Sequence, residues 1–126
     1  MTMKPIRSFL FVPGNRSTWI AKIPGFGADA VILDLEDSVP VSHKAEARKI
    51  VSEAIPGLSA QGQRVFVRIN KGPYLYDWDD LNGVIQPGLE GLVLPKPNGP
   101  EDIDILTQMV CDVEWRKEME VGAVSF

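Results

Sequence analysis

Three carboxylates, Asp34, Glu36 and Asp37, stand within four positions directly behind the apolar run 30–33. Hard oxygen donors at this density suit Mg²⁺, held directly or through its bound water. The same segment also reads as a solvated acidic loop in which one carboxylate caps the following helix. Arg68 lies inside a second apolar run, residues 65–69. A buried guanidinium must be paired. Its fork suits a bidentate carboxylate ligand, and it equally suits an internal ion pair with Asp34 or Glu36. Gly14, Asn15 and Arg16 open a predicted helix, where backbone N–H groups and an arginine could receive a phosphate. Lys96 closes the set, just beyond a fourth apolar run.

These residues acquire meaning from the elements that carry them. Apolar runs at 8–12, 30–33, 65–69 and 91–94 have strand length and are apolar at consecutive positions, as in strands buried on both faces. Helical stretches alternate with them. Ser17 is placed to cap a helix over 17–23 that Pro24 and Gly25 end. Ser42 is placed to cap a second helix, with a stripe from Ala45 to Ile55, closed by Pro56 and Gly57. Residues 79–85 form a shorter third helix. A fourth starts at Pro100 and buries Ile103, Leu106, Met109, Val110 and Val113. Residues 121–126 read as a fifth strand beginning. Alternation of this kind predicts an α/β fold with parallel strands, either a doubly wound sheet or a (β/α)8 barrel. In both, ligands sit at the C-terminal ends of the strands. The chain there carries Arg16, the Asp34–Glu36–Asp37 group, Arg68 and Lys96.

Composition narrows the function classes. The 126 residues suit one domain, and 44% are hydrophobic. A formal net charge of −4 argues against a nucleic-acid partner. The one cysteine, Cys111, precludes an internal disulfide and points to a reducing cytoplasm. No apolar run approaches the ~20 residues of a membrane span. Neither a GxGxxG fingerprint nor a Walker A loop occurs, which weighs against a nucleotide-binding doubly wound sheet. His43 reads as a surface helix residue, and Cys111 as packing. Asp112, Glu114, Arg116, Lys117 and Glu118 read as a solvated helix face with i,i+4 pairing.

Five segments together resemble one family: RSFLFVPGNR at 7–16, GADAVILDLEDSV at 27–39, KAEAR at 44–48, VRIN at 67–70 and LPK at 94–96. In order and spacing they are similar to the HpcH/HpaI aldolase–citrate lyase β-subunit superfamily, on its citrate lyase β-subunit-like and malyl-CoA lyase-like branch. The resemblance implies the N-terminal half of a TIM (β/α)8 barrel, about four βα units with parallel strands, spanning 1–126. It implies Mg²⁺ as cofactor and reversible carbon–carbon cleavage of a 3-hydroxyacyl-CoA thioester (citryl-, malyl- or citramalyl-CoA-like) or of a related free 2-oxoacid aldol.

The resemblance also assigns roles by position. Phe11, Arg16 and Lys22 match CoA-contacting residues, and Arg68 matches the arginine that grips the substrate carboxylate. Glu36 and Asp37 match carboxylates that hold the metal's waters, while Asp34 and Lys96 are further residues of the mouth. Pro24, Gly25 and Phe26 replace a more regular helix end beside Lys22. The family's direct metal ligands, a Glu and an Asp, belong to strands five and six. The resemblance therefore implies a chain without direct ligands and, by itself, without activity. A CoA- or anion-binding half-barrel and a structural half-barrel subunit are the alternatives. A small-molecule acyl-CoA or 2-oxoacid partner, a cytoplasmic setting and a homo-oligomer in the full-length protein complete the expectations.

Overall fold

The structure is a computed structural model and describes residues 4–126. Four parallel strands form one sheet in the order β1-β2-β3-β4: β1 is Phe9–Pro13, β2 Ala30–Asp34, β3 Arg64–Arg68 and β4 Leu89–Val93. The helices between them are α1 (Ser17–Ala21), α2 (Lys44–Ala60), α3 (Trp78–Val84) and α4 (Glu101–Arg116). A doubly wound sheet reverses its strand order at a switch point, whereas a barrel wall advances one strand at a time. The observed order is that of half a barrel wall.

Side-chain alternation separates the two faces of this sheet. Val31, Leu33, Val65 and Val67 point to the helical side and are fully buried with Ala47, Val51, Ile55 and Leu106. The register places Phe11, Ile32, Phe66 and Gly91 side by side on the opposite face. There Phe9 is 49% and Phe11 50% exposed, although Phe9 and Phe66 meet edge to face at 5.4 Å. Arg64 and Glu90 pair at the strand starts, at the end opposite the charged mouth. A Cβ at Gly91 would lie 2.7 Å from the Phe66 ring and 2.8 Å from the Ser125 carbonyl, so only glycine fits.

Several elements differ from expectation, each for a visible reason. Helix α2 runs through Pro56 to Ala60. Proline removes the N–H that would bond the Ser52 carbonyl, and Gln86 Nε2 donates to that carbonyl at 2.9 Å instead. Ser17 and Ser42 make no capping bonds: Arg16 and His43 occupy the N-cap positions, and α2 starts after a 3-10 turn, Val41–His43. Helix α3 is capped by Asp77, whose carboxylate accepts from the Asp80 N–H at 2.9 Å. On α4, Ile103 is 48% exposed, while Asp102 is buried. Asp102 accepts from Lys71 Nζ at 3.0 Å and the Asn98 N–H at 2.7 Å.

Two of the supposedly solvated charges on and just beyond α4 are also buried or engaged. Glu114 is fully buried and accepts the Gly122 and Val124 N–H groups at 3.0 and 2.9 Å. The Lys117 ammonium donates to the Asn82 and Ile85 carbonyls at the end of α3, and burial lowers its pKa. Arg116 and Asp112 do form the expected i,i+4 pair, at 3.0 Å. Residues 121–126 form no full strand. Ser125 makes one parallel bridge to Gly91, its N–H donating to Glu90 O and its carbonyl accepting from Leu92 N–H. The outer edge of β4 is therefore partly covered, not fully open. Among the described residues no helix is long and apolar enough to cross a membrane.

Candidate active site at the strand ends

The ends of β1, β2 and β3 bring Pro13, Asp34 and Arg68 into one row. Gly14 makes the first loop close on this row. Its N–H donates to the Asp34 carbonyl at 2.7 Å, and a Cβ would strike that carbonyl and the Val51 side chain. Asp34 is 1% exposed. Its carboxylate accepts Arg68 Nε at 2.8 Å, Arg68 Nη2 at 2.9 Å, the Glu36 N–H at 3.0 Å and the Ser38 N–H at 2.9 Å, along with the Ser38 hydroxyl. Burial alone would push this carboxyl up. The hydrogen bonds from Arg68, Ser38 and the two backbone amides outweigh burial and hold it far below the usual carboxylate range.

Asp34, Glu36, Arg68 and Lys96 converge as the sequence implies. Glu36 Oε1 lies 3.6 Å from Arg68 Nε, and its Oε2 accepts Lys96 Nζ at 2.9 Å. Asp37 accepts the same ammonium at 3.0 Å, which holds its pKa low. Lys96 adopts φ +40°, a left-handed conformation unusual outside glycine. Contact with both carboxylates raises its own pKa. Three acids, Asp34, Glu36 and Asp37, meet the cations of Arg68 and Lys96, and the Lys44 ammonium bonds the same loop from beneath.

For Arg68, the internal ion pair and the free fork coexist. Asp34 takes its side-on edge, Nε and Nη2. A guanidinium carries five N–H donors. Among the described residues none accepts from Nη1, so the end-on edge has donors left unused by the ion pair. Phe11 lies against the same group, its ring centroid 4.9 Å from Arg68 Cζ. Phe11, Pro13, Asp34, Ser38 and Arg68 line a cleft of about 340 Å³.

A second cleft, of about 370 Å³, shares Pro13 and Ser38 with the first and is lined also by Asn15, Arg16, Trp19 and His43. Arg16 lies over the Trp19 ring at 5.1 Å. Asn15 Oδ1 is buried with no hydrogen-bond partner among the described residues. Lys22 is exposed at the end of α1 and lines neither cleft. A further groove between α1 and α2, about 390 Å³ and lined by Ile20, Ile50, Ala54 and Leu58, lies on the helical side, apart from these charges.

Ser38, Lys44, Asn70 and Asp80 belong to the site's supporting network but carry no sequence-derived role. Lys44 and Asn70 fall inside the quoted segments KAEAR and VRIN, which was the available signal. Asp80 left none, because a carboxylate on a short helix resembles any surface acid.

Comparison with known proteins identifies the family. The sequence profile of HpcH/HpaI aldolase/citrate lyase matches residues 7–124. A citrate lyase subunit beta-like protein of Deinococcus radiodurans is 46% identical over 95 residues, which cover 72% of this chain and 33% of that protein. An L-malyl-CoA/beta-methylmalyl-CoA lyase of Cereibacter sphaeroides is 36% identical over 117 residues, covering 90% of this chain and 37% of the relative. A Mycobacterium tuberculosis CitE structure, in complex with magnesium, acetoacetate and coenzyme A, superposes with a TM-score of 0.64 at 28% identity. That match covers 85% of this chain and 38% of that one. The chain thus spans between a third and two-fifths of the length of these relatives. With the profile matching nearly its whole length, it belongs to the HpcH/HpaI aldolase/citrate lyase family.

Proposed function

We propose that this chain supplies the substrate-recognition part of a Mg²⁺-dependent carbon–carbon lyase acting on a 3-hydroxyacyl-CoA thioester of the citryl-, malyl- or citramalyl-CoA kind. One observation carries the reading. Arg68 is locked side-on by a buried carboxylate and keeps its end-on edge free toward a cleft walled by Phe11. A fork so fixed receives a planar carboxylate with little ordering cost. The carboxylate of a 2-oxoacid product, or the same group within the thioester substrate, fits it. Phe11 shields one side of the guanidinium. The adjoining cleft, with the Arg16 guanidinium over Trp19, suits the phosphate-bearing arm of CoA. Lys22, which lines neither cleft, is a further CoA contact in this reading on its match to the family's position alone.

The residues present fit magnesium in one respect. Glu36 and Asp37 converge on one ammonium, and oxygens that accept N–H from Lys96 can accept O–H from metal-bound water. Among the described residues no group of three His, Cys, Asp or Glu could hold the ion itself. When bound, magnesium polarises the carbonyl of the 2-oxoacid portion. A recognition unit for CoA or an anion without its own catalysis is the second reading, and the lack of such a three-ligand group favours it for the isolated chain.

Titration of the ¹⁵N-labelled chain with coenzyme A, followed by NMR, tests the assignment. Resonances of Phe11 and Arg16 are expected to shift and Arg16→Met to weaken the effect. Addition of Mg²⁺ and malyl-, citramalyl- or citryl-CoA is expected to release no 2-oxoacid. Absence of CoA-dependent shifts at millimolar ligand would refute the CoA part of the reading. Rapid 2-oxoacid release would show that the chain carries a full metal site.

A further inference from the structure

The acidic loop behind β2 must leave the strand with its carboxylates aimed at the mouth, and one cation sits beneath it. Lys44 is the first residue of α2. A cation there faces the positive end of the helix dipole, an unfavourable place. Its Nζ nevertheless donates to the Leu35 carbonyl at 2.9 Å, the Glu36 carbonyl at 2.9 Å and Asn70 Oδ1 at 2.8 Å. All three ammonium protons are used. Successive carbonyls of a strand point in opposite directions. Two that converge on one ammonium require the chain to turn at Leu35 and Glu36, where the acidic group begins.

The ammonium is itself held from behind. Asn70 Nδ2 donates to the Leu35 carbonyl and to Asp80 Oδ2, both at 2.8 Å, and the Asn70 N–H donates to the same Asp80 oxygen. Asp80 is fully buried and takes Arg48 Nε at 2.9 Å. Lys44 is therefore the point at which a network anchored on α2, β3 and α3 meets the loop.

We propose that Lys44 is a positioning residue: its ammonium fixes the turn that sets Glu36 and Asp37 at the mouth and steadies Asp34 beneath Arg68. The inference rests on the reading of Glu36 and Asp37 as acceptors for a metal's waters. Its test reads loop order, not binding or turnover, so the two can fail separately.

Amide hydrogen exchange of the whole chain is measured for wild type, Lys44→Met and the exposed control Lys49→Met. The Glu36 and Ser38 N–H groups, both bonded to Asp34, report the loop. Lys44→Met is expected to speed their exchange tenfold or more, while Val31 and Leu33 within β2 stay protected. In Lys44→Ala, added propylammonium is expected to restore loop protection, and uncharged propanol to leave it lost. Should the Lys44 variants fail to fold, Asn70→Ala, which removes the acceptor orienting the ammonium, is expected to loosen the same two amides. Unchanged Glu36 and Ser38 exchange in the variants would overturn the proposal. So would an equal acceleration across all four strands, which would make Lys44 a residue of general stability.

Discussion

Asp34 is the carboxylate whose loss should be felt most. Asp34→Ala removes the acceptor of two arginine bonds, two backbone bonds and one hydroxyl bond at a side chain 1% exposed. Breaking a buried ion pair by deleting one partner costs roughly 3–5 kcal/mol. Arg68 keeps 23% exposure, and Glu36 lies 3.6 Å away to take over part of its charge. The lower end, about 3 kcal/mol, is therefore expected. With an m-value of about 2 kcal/mol/M, the urea midpoint falls by about 1.5 M at unchanged m. Asp37→Ala, at a side chain 60% exposed, should move stability by less than about 0.5 kcal/mol.

The Asp34 pKa is lowered in the fold. Its contribution is therefore full above the unfolded value of about 4 and declines as pH falls below it. The gap between wild type and Asp34→Ala should accordingly narrow from pH 5 toward pH 2. Urea melts by circular dichroism at these pH values give the answer. A variant within about 0.5 kcal/mol of wild type at pH 7 would refute the claim that this pair organises the mouth.

Other outcomes follow from single contacts. Gln86→Ala should cost about 1 kcal/mol, because it strips the Ser52 carbonyl of its partner. In a Pro56→Ala background the restored N–H should make the same change nearly neutral, as chemical denaturation of the four variants would show. Gly91→Ala should destabilise by about 1–3 kcal/mol through the clash with Phe66 and Ser125, and thermal melts would register it. The half-exposed Phe9 and Phe11 face, beside the open edge of β1, should drive concentration-dependent association of the 126-residue chain. Sedimentation showing a strictly monomeric, cooperatively melting species would contradict that expectation.

Much of the architecture is legible because β-branched and aliphatic residues stand at consecutive positions in β2 and β3, and buried parallel strands demand that pattern. The convergence of Asp34, Glu36, Arg68 and Lys96 follows in turn, since the strand ends of such a sheet share one edge. What escaped depends on contacts between distant residues. Pro56 reads as a helix end because nothing local announces that Gln86, thirty residues on, satisfies Ser52. Glu114 reads as solvated until the backbone at 122–124 is brought to it by the fold. For Arg68, residue type alone offered an internal pair or a ligand grip. The fold shows the internal pair with Asp34, and the donors that this pairing leaves unused are what the proposed ligand grip rests on.

The central claim is that the open edge of Arg68 receives a substrate carboxylate. The most direct measurement is a titration of the labelled chain with pyruvate, following the Arg68 side-chain N–H resonances. The account predicts saturable shifts at Arg68 and Phe11, lost in Arg68→Lys, with Arg116 on α4 unaffected. No shift at Arg68, or shifts at Arg116 of equal size, would contradict it.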